Sequence, residues 1–269
     1  MEQVATFRDL HAQTRLLVLP NAWDAASAIL FVSAGATAIA TTSAGLAWSC
    51  GFPDGDALPR EALLLAVAAI LRACPSVPVS VDLEGGYSGD PGEVAILASQ
   101  LATMGAAGIN LEDGDGNPEL LAAKIEAVKR RTGIFVNARA DVYLRELAHG
   151  DDAVAESVAR AKRYALAGAD GIFVPGIAPE AIATLAQATP LPLAVLAEPG
   201  LPAFAELYGL GVRRISAGSG LAKLAYGDAR AAATAFLGGE SAALFSGGAV
   251  PYAEMNALAA RHQSRPGSV

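Results

Sequence analysis

The sequence predicts an α/β protein, a (β/α)8 barrel of the TIM type with one additional C-terminal helix. Three observations predict it. Short apolar, β-branched runs alternate with helical patterns along the whole chain. Eight such pairs fit into roughly 235 residues, more strands than an open doubly wound sheet usually carries. Glycine-bearing phrases recur where helix gives way to strand: Ala34-Gly35-Ala36, Gly105-Ala106-Ala107-Gly108, Ala167-Gly168-Ala169-Asp170 and Gly209-Leu210-Gly211-Val212. No Pro/Ser-rich linker divides the chain, so residues 1–237 read as one barrel domain and 238–269 as an extension.

In chain order, the predicted strands are Leu16–Leu19, Thr37–Thr41, Val79–Asp82, Gly108–Glu112, Ile134–Arg139, Ile172–Pro175, Leu193–Ala197 and Arg214–Ala217. The helices behind them are Asp24–Ser33, Pro59–Ala73, Pro91–Met104, Glu119–Arg131, Asp151–Ala167, Glu180–Gln187, Pro202–Tyr208 and Ser219–Phe236. Proline suits the first turns of the second and third, and the basic end of the fourth suits a helix C-terminus. Tyr252–His262 reads as an amphipathic helix beyond the barrel, set off by Gly238-Gly239 and Ser246-Gly247-Gly248. It packs on its own barrel or reaches a partner subunit.

Composition narrows the function classes. The 269 residues are 53% apolar, enough for one large core, and carry a formal net charge of -8. Such a surface argues against nucleic acid or an anionic membrane as main partner, and an acidic substrate would need a local cation. Cys50 and Cys74 are too few for a disulfide framework. The start Met1-Glu2-Gln3 lacks the order of a signal peptide, so a cytoplasmic protein is expected. The most apolar stretch, Ala62–Ala73, is too short to cross a bilayer.

In a barrel of this kind chemistry sits at the C-terminal strand ends, and here those ends are polar. The third strand runs Val79-Ser80-Val81-Asp82-Leu83-Glu84-Gly85-Gly86-Tyr87, from a buried apolar run straight into two acids. Others end in Thr41-Thr42-Ser43-Ala44-Gly45, Glu112-Asp113, Arg139-Ala140-Asp141 and Ala197-Glu198. Carboxylates converging on one mouth repel one another unless a divalent cation sits among them, and oxygen-only donors favour Mg²⁺ or Mn²⁺ over zinc.

Together with Pro20-Asn21-Ala22-Trp23-Asp24-Ala25, Gly51-Phe52-Pro53-Asp54, Leu111-Glu112-Asp113 and Ala138-Arg139, these motifs resemble the isocitrate lyase/phosphoenolpyruvate mutase superfamily over nearly the whole barrel. The resemblance implies that Mg²⁺ is held near Asp82, Glu84 and Glu112, partly through water, with an outer contribution from Asp54. It implies that a 2-oxo acid or dicarboxylate meets the metal, the loop Thr42, Ser43, Ala44 and Gly45, and Arg139, with Glu198 as a further substrate contact. Arg139 and Glu112 are then the candidate catalytic pair. A homotetramer with swapped terminal helices is also implied, with Tyr252–His262 as the candidate element.

Two departures from the family pattern matter. Asp82-Leu83-Glu84 replaces the usual Asp-x-Asp, and Gly114-Asp115-Gly116-Asn117-Pro118 replaces the long lid that carries Lys-Lys-Cys-Gly in the lyases. The expected activity is Mg²⁺-dependent C–C cleavage or decarboxylation of a small 2-oxo acid or its precursor through an enolate. The alternatives are P–C bond chemistry on a phosphonate, or a 2-oxo acid binding protein without turnover.

Each residue also has a plainer reading. Asp82 and Glu84 could form a solvated strand end, Glu112 a helix-start acid, Arg139 an ion pair with Asp141, Pro53-Asp54-Gly55 a turn, and Thr42-Ser43 a strand end. Tyr87 shapes its loop, Cys50 is a small apolar filler, and His11, His149 and His262 are surface or interface residues. Gly218-x-Gly220 opens a helix where barrels often bind phosphate.

Overall fold

The strand count turns on Pro20. The computed structural model describes residues 2–245 and 248–261. Its first strand position is split into β1 (Leu17–Leu19) and β2 (Asn21–Ala22), because Pro20 has no N–H to give a ladder. The sheet continues with β3 (Ile39–Thr41), β4 (Val79–Asp82), β5 (Gly108–Glu112), β6 (Phe135–Arg139), β7 (Gly171–Phe173), β8 (Leu193–Leu196) and β9 (Val212–Ser216). Every pairing is parallel, in the order β1-β9-β8-β7-β6-β5-β4-β3-β2. Since β1 and β2 are one stretch broken at a proline, the two sheet edges meet there and the barrel nearly closes. The expected eight strand positions are therefore present in nine pieces.

Helices surround the sheet: α1 (Glu2–His11), α2 (Ala25–Ser33), α3 (Ser43–Ser49), α4 (Arg60–Ala73), α5 (Pro91–Met104), α6 (Pro118–Arg131), α7 (Gly150–Leu166), α8 (Ile182–Ala188), α9 (Phe204–Gly209), α10 (Gly220–Leu237) and α11 (Tyr252–Ala260). Their starts follow local chemistry. Asp24 and Ser27 form a capping box for α2. Asp90 and Asn117 cap α5 and α6, each followed by proline at the first helical position.

Two helices lay outside the sequence expectations. One is α3, which begins at the end of β3 under an N-cap by Thr42. The other is α1, which closes the N-terminal end of the barrel. Its Phe7 is wholly buried in a cluster with Leu10, Leu17, Leu19, Ala107 and Phe135. The Phe7 ring meets that of Phe135 edge to face at 5.2 Å. Gly108 makes room for it, since a Cβ there would lie 2.9 Å from Phe7 Cε1. His11, expected at the surface or at an interface, is buried against Phe135 with ring centroids 4.4 Å apart.

The eighth helix does not cover its share of the wall. Of α10 only Ala222 is buried, and Leu224 and Leu237 are 62% and 85% exposed. Val18, on β1, is 42% exposed, beside a cavity of about 460 Å³ lined by Val18, Phe31, Phe204, Ile215 and Leu221. The terminal helix α11 lies against α2 of the same chain and adds Leu258 to the core; His262 lies outside the described residues. Among the described residues no helix is long and apolar enough to cross a membrane.

Candidate functional site

The mouth is built from the adjacent ends of β3, β4, β5 and β6. Strand register places Glu112 beside Arg139 and Asp82 beside Asn110. Asp82 is the last residue of β4, and its amide donates to Thr41 Oγ1 at 2.9 Å. Its Oδ2 accepts the N–H of Ser43 at 3.2 Å, while Oδ1 is buried with no partner among the described residues. Thr42 and Gly45 complete that turn, Gly45 donating to Thr42 Oγ1 at 3.5 Å, and Ala44 and Gly45 are buried. The Thr42–Gly45 segment thus presents one backbone amide to the strand-end acid.

Glu112 and Arg139 form a short ion pair, Nη1 to Oε2 at 2.6 Å. Asp141 takes the rest of the guanidinium in a fork, Nε to Oδ1 at 2.6 Å and Nη2 to Oδ2 at 3.0 Å. Burial pushes the Glu112 carboxyl up to about 8, against the pull of Arg139 and with help from Asp82. The mouth therefore holds more buried carboxylate than its own cation neutralises.

Behind this pair Asp113, read from the sequence only as part of a polar strand end, anchors a buried network with residues of α7 that the sequence reading did not single out. Asp113 accepts the amide of Asp141 at 2.9 Å, Arg160 Nη1 at 2.8 Å and the hydroxyl of Tyr164. Arg160 also binds Glu156 at 2.7 Å. The available signal was the spacing Glu156, Arg160, Tyr164, which places three polar side chains on one face of α7. A second polar layer lies inside the barrel: Arg214 donates to Asn110 Oδ1 at 3.2 Å, and Asn137 Nδ2 donates to the same oxygen at 2.9 Å. Arg214 is fully buried, its Nε and Nη1 have no partner among the described residues, and burial lowers its pKa to about 10.

The other predicted residues stand differently. Glu84 is buried, and its oxygens accept from Gly55, Asp56 and Tyr87. Asp54 is exposed, and its side chain has no hydrogen bond or ion pair among the described residues. Its neighbour Asp56 is the acid of that segment whose charge bears on Glu84 and Asp82. Glu198 is exposed beyond β8, and its side chain is likewise unengaged. Cys50 is exposed at the end of α3 rather than a packed filler, and His149 is exposed ahead of α7. The amides of Ala217 and Gly218 already donate to Asn21 Oδ1, at 2.8 and 2.9 Å, so the turn before Gly220 is not a free phosphate cradle.

The mouth suits a hard cation only in a particular way. Among the described residues no three His, Cys, Asp or Glu side chains stand together as a ready-made cage. The unpartnered Oδ1 of Asp82 and the excess charge around Glu112 do fit a hydrated ion that keeps several waters, as Mg²⁺ does.

Residues 7–237 match the family model described as phosphoenolpyruvate phosphomutase. A Mycobacterium tuberculosis (strain H37Rv) protein described only as uncharacterised is 43% identical over 267 residues, spanning 97% of this chain and 98% of that protein. The 2-methylisocitrate lyase of Salmonella typhimurium is 30% identical over 192 residues, 67% of this chain and 63% of the enzyme. Among solved structures, a candidate phosphonomutase from Burkholderia cenocepacia J2315 superposes with a TM-score of 0.82 at 39% identity, covering 87% of this chain and all of that one.

Proposed function

The chain belongs to the phosphoenolpyruvate phosphomutase family, within the isocitrate lyase/phosphoenolpyruvate mutase superfamily, and from that premise we propose an Mg²⁺-dependent carbon–carbon lyase. Its substrate is a small 2-oxo acid, or a hydroxy acid precursor of one, cleaved or decarboxylated through an enolate. The observation that carries this reading is the buried, unpartnered Oδ1 of Asp82 at a mouth where Glu112 and Arg139 also end their strands. Asp82 and Glu112 would hold the ion, in large part through water. When bound, Mg²⁺ or Mn²⁺ supplies Lewis-acid stabilisation of developing negative charge on the substrate oxygens.

The remaining work falls to the chain's own groups. A substrate carboxylate takes the place of Glu112 at Arg139 Nη1, while Asp141 keeps Nε and Nη2 and so holds the plane of the guanidinium. The Arg139 cation, and the Ser43 amide that now donates to Asp82, would stabilise negative charge growing on the substrate oxygens. Glu112 is the mouth acid best suited to take up a proton, because burial pushes its carboxyl up to about 8 against the pull of Arg139.

A second reading, P–C bond chemistry on a phosphonate, is favoured by the phosphomutase family model and the candidate phosphonomutase relative. The short turn after β5, where Gly116 N–H meets Asp113 O at 2.7 Å, favours a third, a 2-oxo acid binder without turnover. Incubation with Mg²⁺ and oxaloacetate, 2-methylmalate or phosphonopyruvate, followed by pyruvate release, separates them. The lyase reading expects pyruvate from one of the first two. Asp82→Ala should weaken Mg²⁺-dependent 2-oxo acid binding by more than roughly 100-fold, beyond what loss of an outer-shell contact does; unchanged affinity would sink the assignment.

The site belongs to a homo-oligomer in this reading, with a tetramer as the expected state. The support lies in the uncovered wall at Val18 and the exposed apolar side of α10, which shifts the candidate exchange element from α11 to α10. Leu224→Glu with Leu237→Glu should convert the assembly to monomer in sedimentation; a wild-type monomer would overturn it. Cytoplasmic location is proposed from composition, since two free cysteines suit a reducing compartment.

A further inference from the structure

Glu84 occupies the place where the sequence departs from Asp-x-Asp, and both oxygens of its side chain are already engaged. Its φ is 49°, and Tyr87 (61°) and Asp56 (55°) share that left-handed backbone, which costs non-glycine residues free energy unless their surroundings hold them. The carboxylate accepts the amides of Gly55 at 2.9 Å and Asp56 at 2.5 Å on Oε2, and the Tyr87 hydroxyl at 2.9 Å on Oε1. The contact is reciprocal, because the Asp56 carboxylate is hydrogen-bonded by the amides of Gly85 and Tyr87. Glycine at 85 eases that approach: a Cβ there would lie 3.0 Å from Asp56 Oδ2, and the carboxylate would have to give by a few tenths of an ångström.

Two further contacts anchor the Glu84–Gly85 loop. Lys124 Nζ donates to the Gly85 carbonyl at 2.6 Å, and the Glu112 amide donates to the Glu84 carbonyl at 2.9 Å. The joined segment, residues 51–58, follows α3, whose first amide touches Asp82. It is therefore fixed to the same mouth that the tight turn after β5 leaves without a long cover.

We propose that Glu84 is a positioning residue, a latch that holds segment 51–58 at the mouth, and that it is not a metal ligand. The proposal rests on the metal-site reading only in naming what the segment covers. It also explains why the longer acid stands here, since an aspartate, one methylene and about 1.5 Å shorter, cannot reach the Gly55 and Asp56 amides from the same backbone. Glutamine can, because its carbonyl oxygen accepts both amides and its NH₂ faces the Tyr87 hydroxyl.

The test uses the full-length protein and two readouts, hydrogen exchange across residues 51–58 without metal, and Mn²⁺ titration. Glu84→Asp should speed exchange at Gly55 and Asp56 by roughly tenfold or more. Gly85→Ala, which presses on Asp56 from the other loop, should do the same and stands in if Glu84→Asp does not fold. Glu84→Gln should keep both exchange and Mn²⁺ affinity within about threefold of wild type, within the range of a retained contact. A ligand role would give the reverse: Mn²⁺ affinity kept in Glu84→Asp and lost by more than about tenfold in Glu84→Gln. That result, or unchanged exchange in both Glu84→Asp and Gly85→Ala, overturns the latch. If Asp82→Ala leaves Mn²⁺ binding intact, the metal-site reading fails while the exchange result still decides the latch.

Discussion

At the floor of the barrel α1 brings Phe7, Leu10 and His11 against Phe135 and seals the strand ends with rings. At the mouth the strands end in Asp82, Glu112 and Arg139, and the seal is missing. At the floor Arg8 and Lys129 bind Asp170 at 3.0 and 2.8 Å, and His11 Nδ1 sits 2.7 Å from the Phe7 carbonyl, while its Nε2 has no partner among the described residues. The mouth retains an orphan carboxylate oxygen and a carboxyl driven up to about 8 by burial. A buried carboxylate oxygen left unsatisfied in this way costs stability, so the orphan acid at the mouth marks where binding is expected to repay it.

The comparison breaks most visibly under Phe7→Ala. Removing a fully buried ring should cost about 3–5 kcal/mol in urea unfolding, yet leave Mn²⁺ affinity within about twofold if the two ends act independently. A change in affinity above tenfold would show that the floor shapes the mouth.

A smaller effect sharpens the electrostatic side. His11 is lowered to about 4 by burial and by the nearby Arg214, against the hydrogen bond with Phe7 and the charge of Asp170. In the unfolded chain it takes its proton near 6.5. Between those values the unfolded state binds more protons, so falling pH favours unfolding. The contribution of neutral His11 is complete above pH 6.5 and is lost as pH falls toward 4, up to about 3 kcal/mol. His11→Phe should flatten the stability profile across that window relative to wild type. An unchanged slope would place the acid sensitivity elsewhere.

The strands and the strand-end acids were legible because β4, β5 and β6 are apolar runs buried on both faces, and Asp82, Glu112 and Arg139 are the first charges after them. Helix α1 was not legible: the segment Glu2–His11 is polar and buries only Phe7, Leu10 and His11. Nor was the turn at Glu84, since a left-handed φ on a glutamate carries no sequence mark. Asp113 meets Arg160 and Tyr164 from 47 and 51 residues away, a pairing that only the folded wall creates. The departure Asp82-Leu83-Glu84 was visible, but its consequence depended on where Gly55 and Asp56 stand.

Arg214 lies between the two ends and gives the finest test of their separation. It passes within 5.9 Å of the Phe7 ring on the floor side, and Asp82 is the acid whose charge supports its own. Because Nε and Nη1 have no partner among the described residues, the cation depends on that charge more than on hydrogen bonds. Arg214→Met should therefore be better tolerated once Asp82→Asn has removed the countercharge. In a double-mutant cycle on the metal-free protein, the coupling is expected at about 1 kcal/mol in favour of the wild-type pair. Effects that add within about 0.4 kcal/mol would leave Arg214 to the floor alone and Asp82 to the mouth.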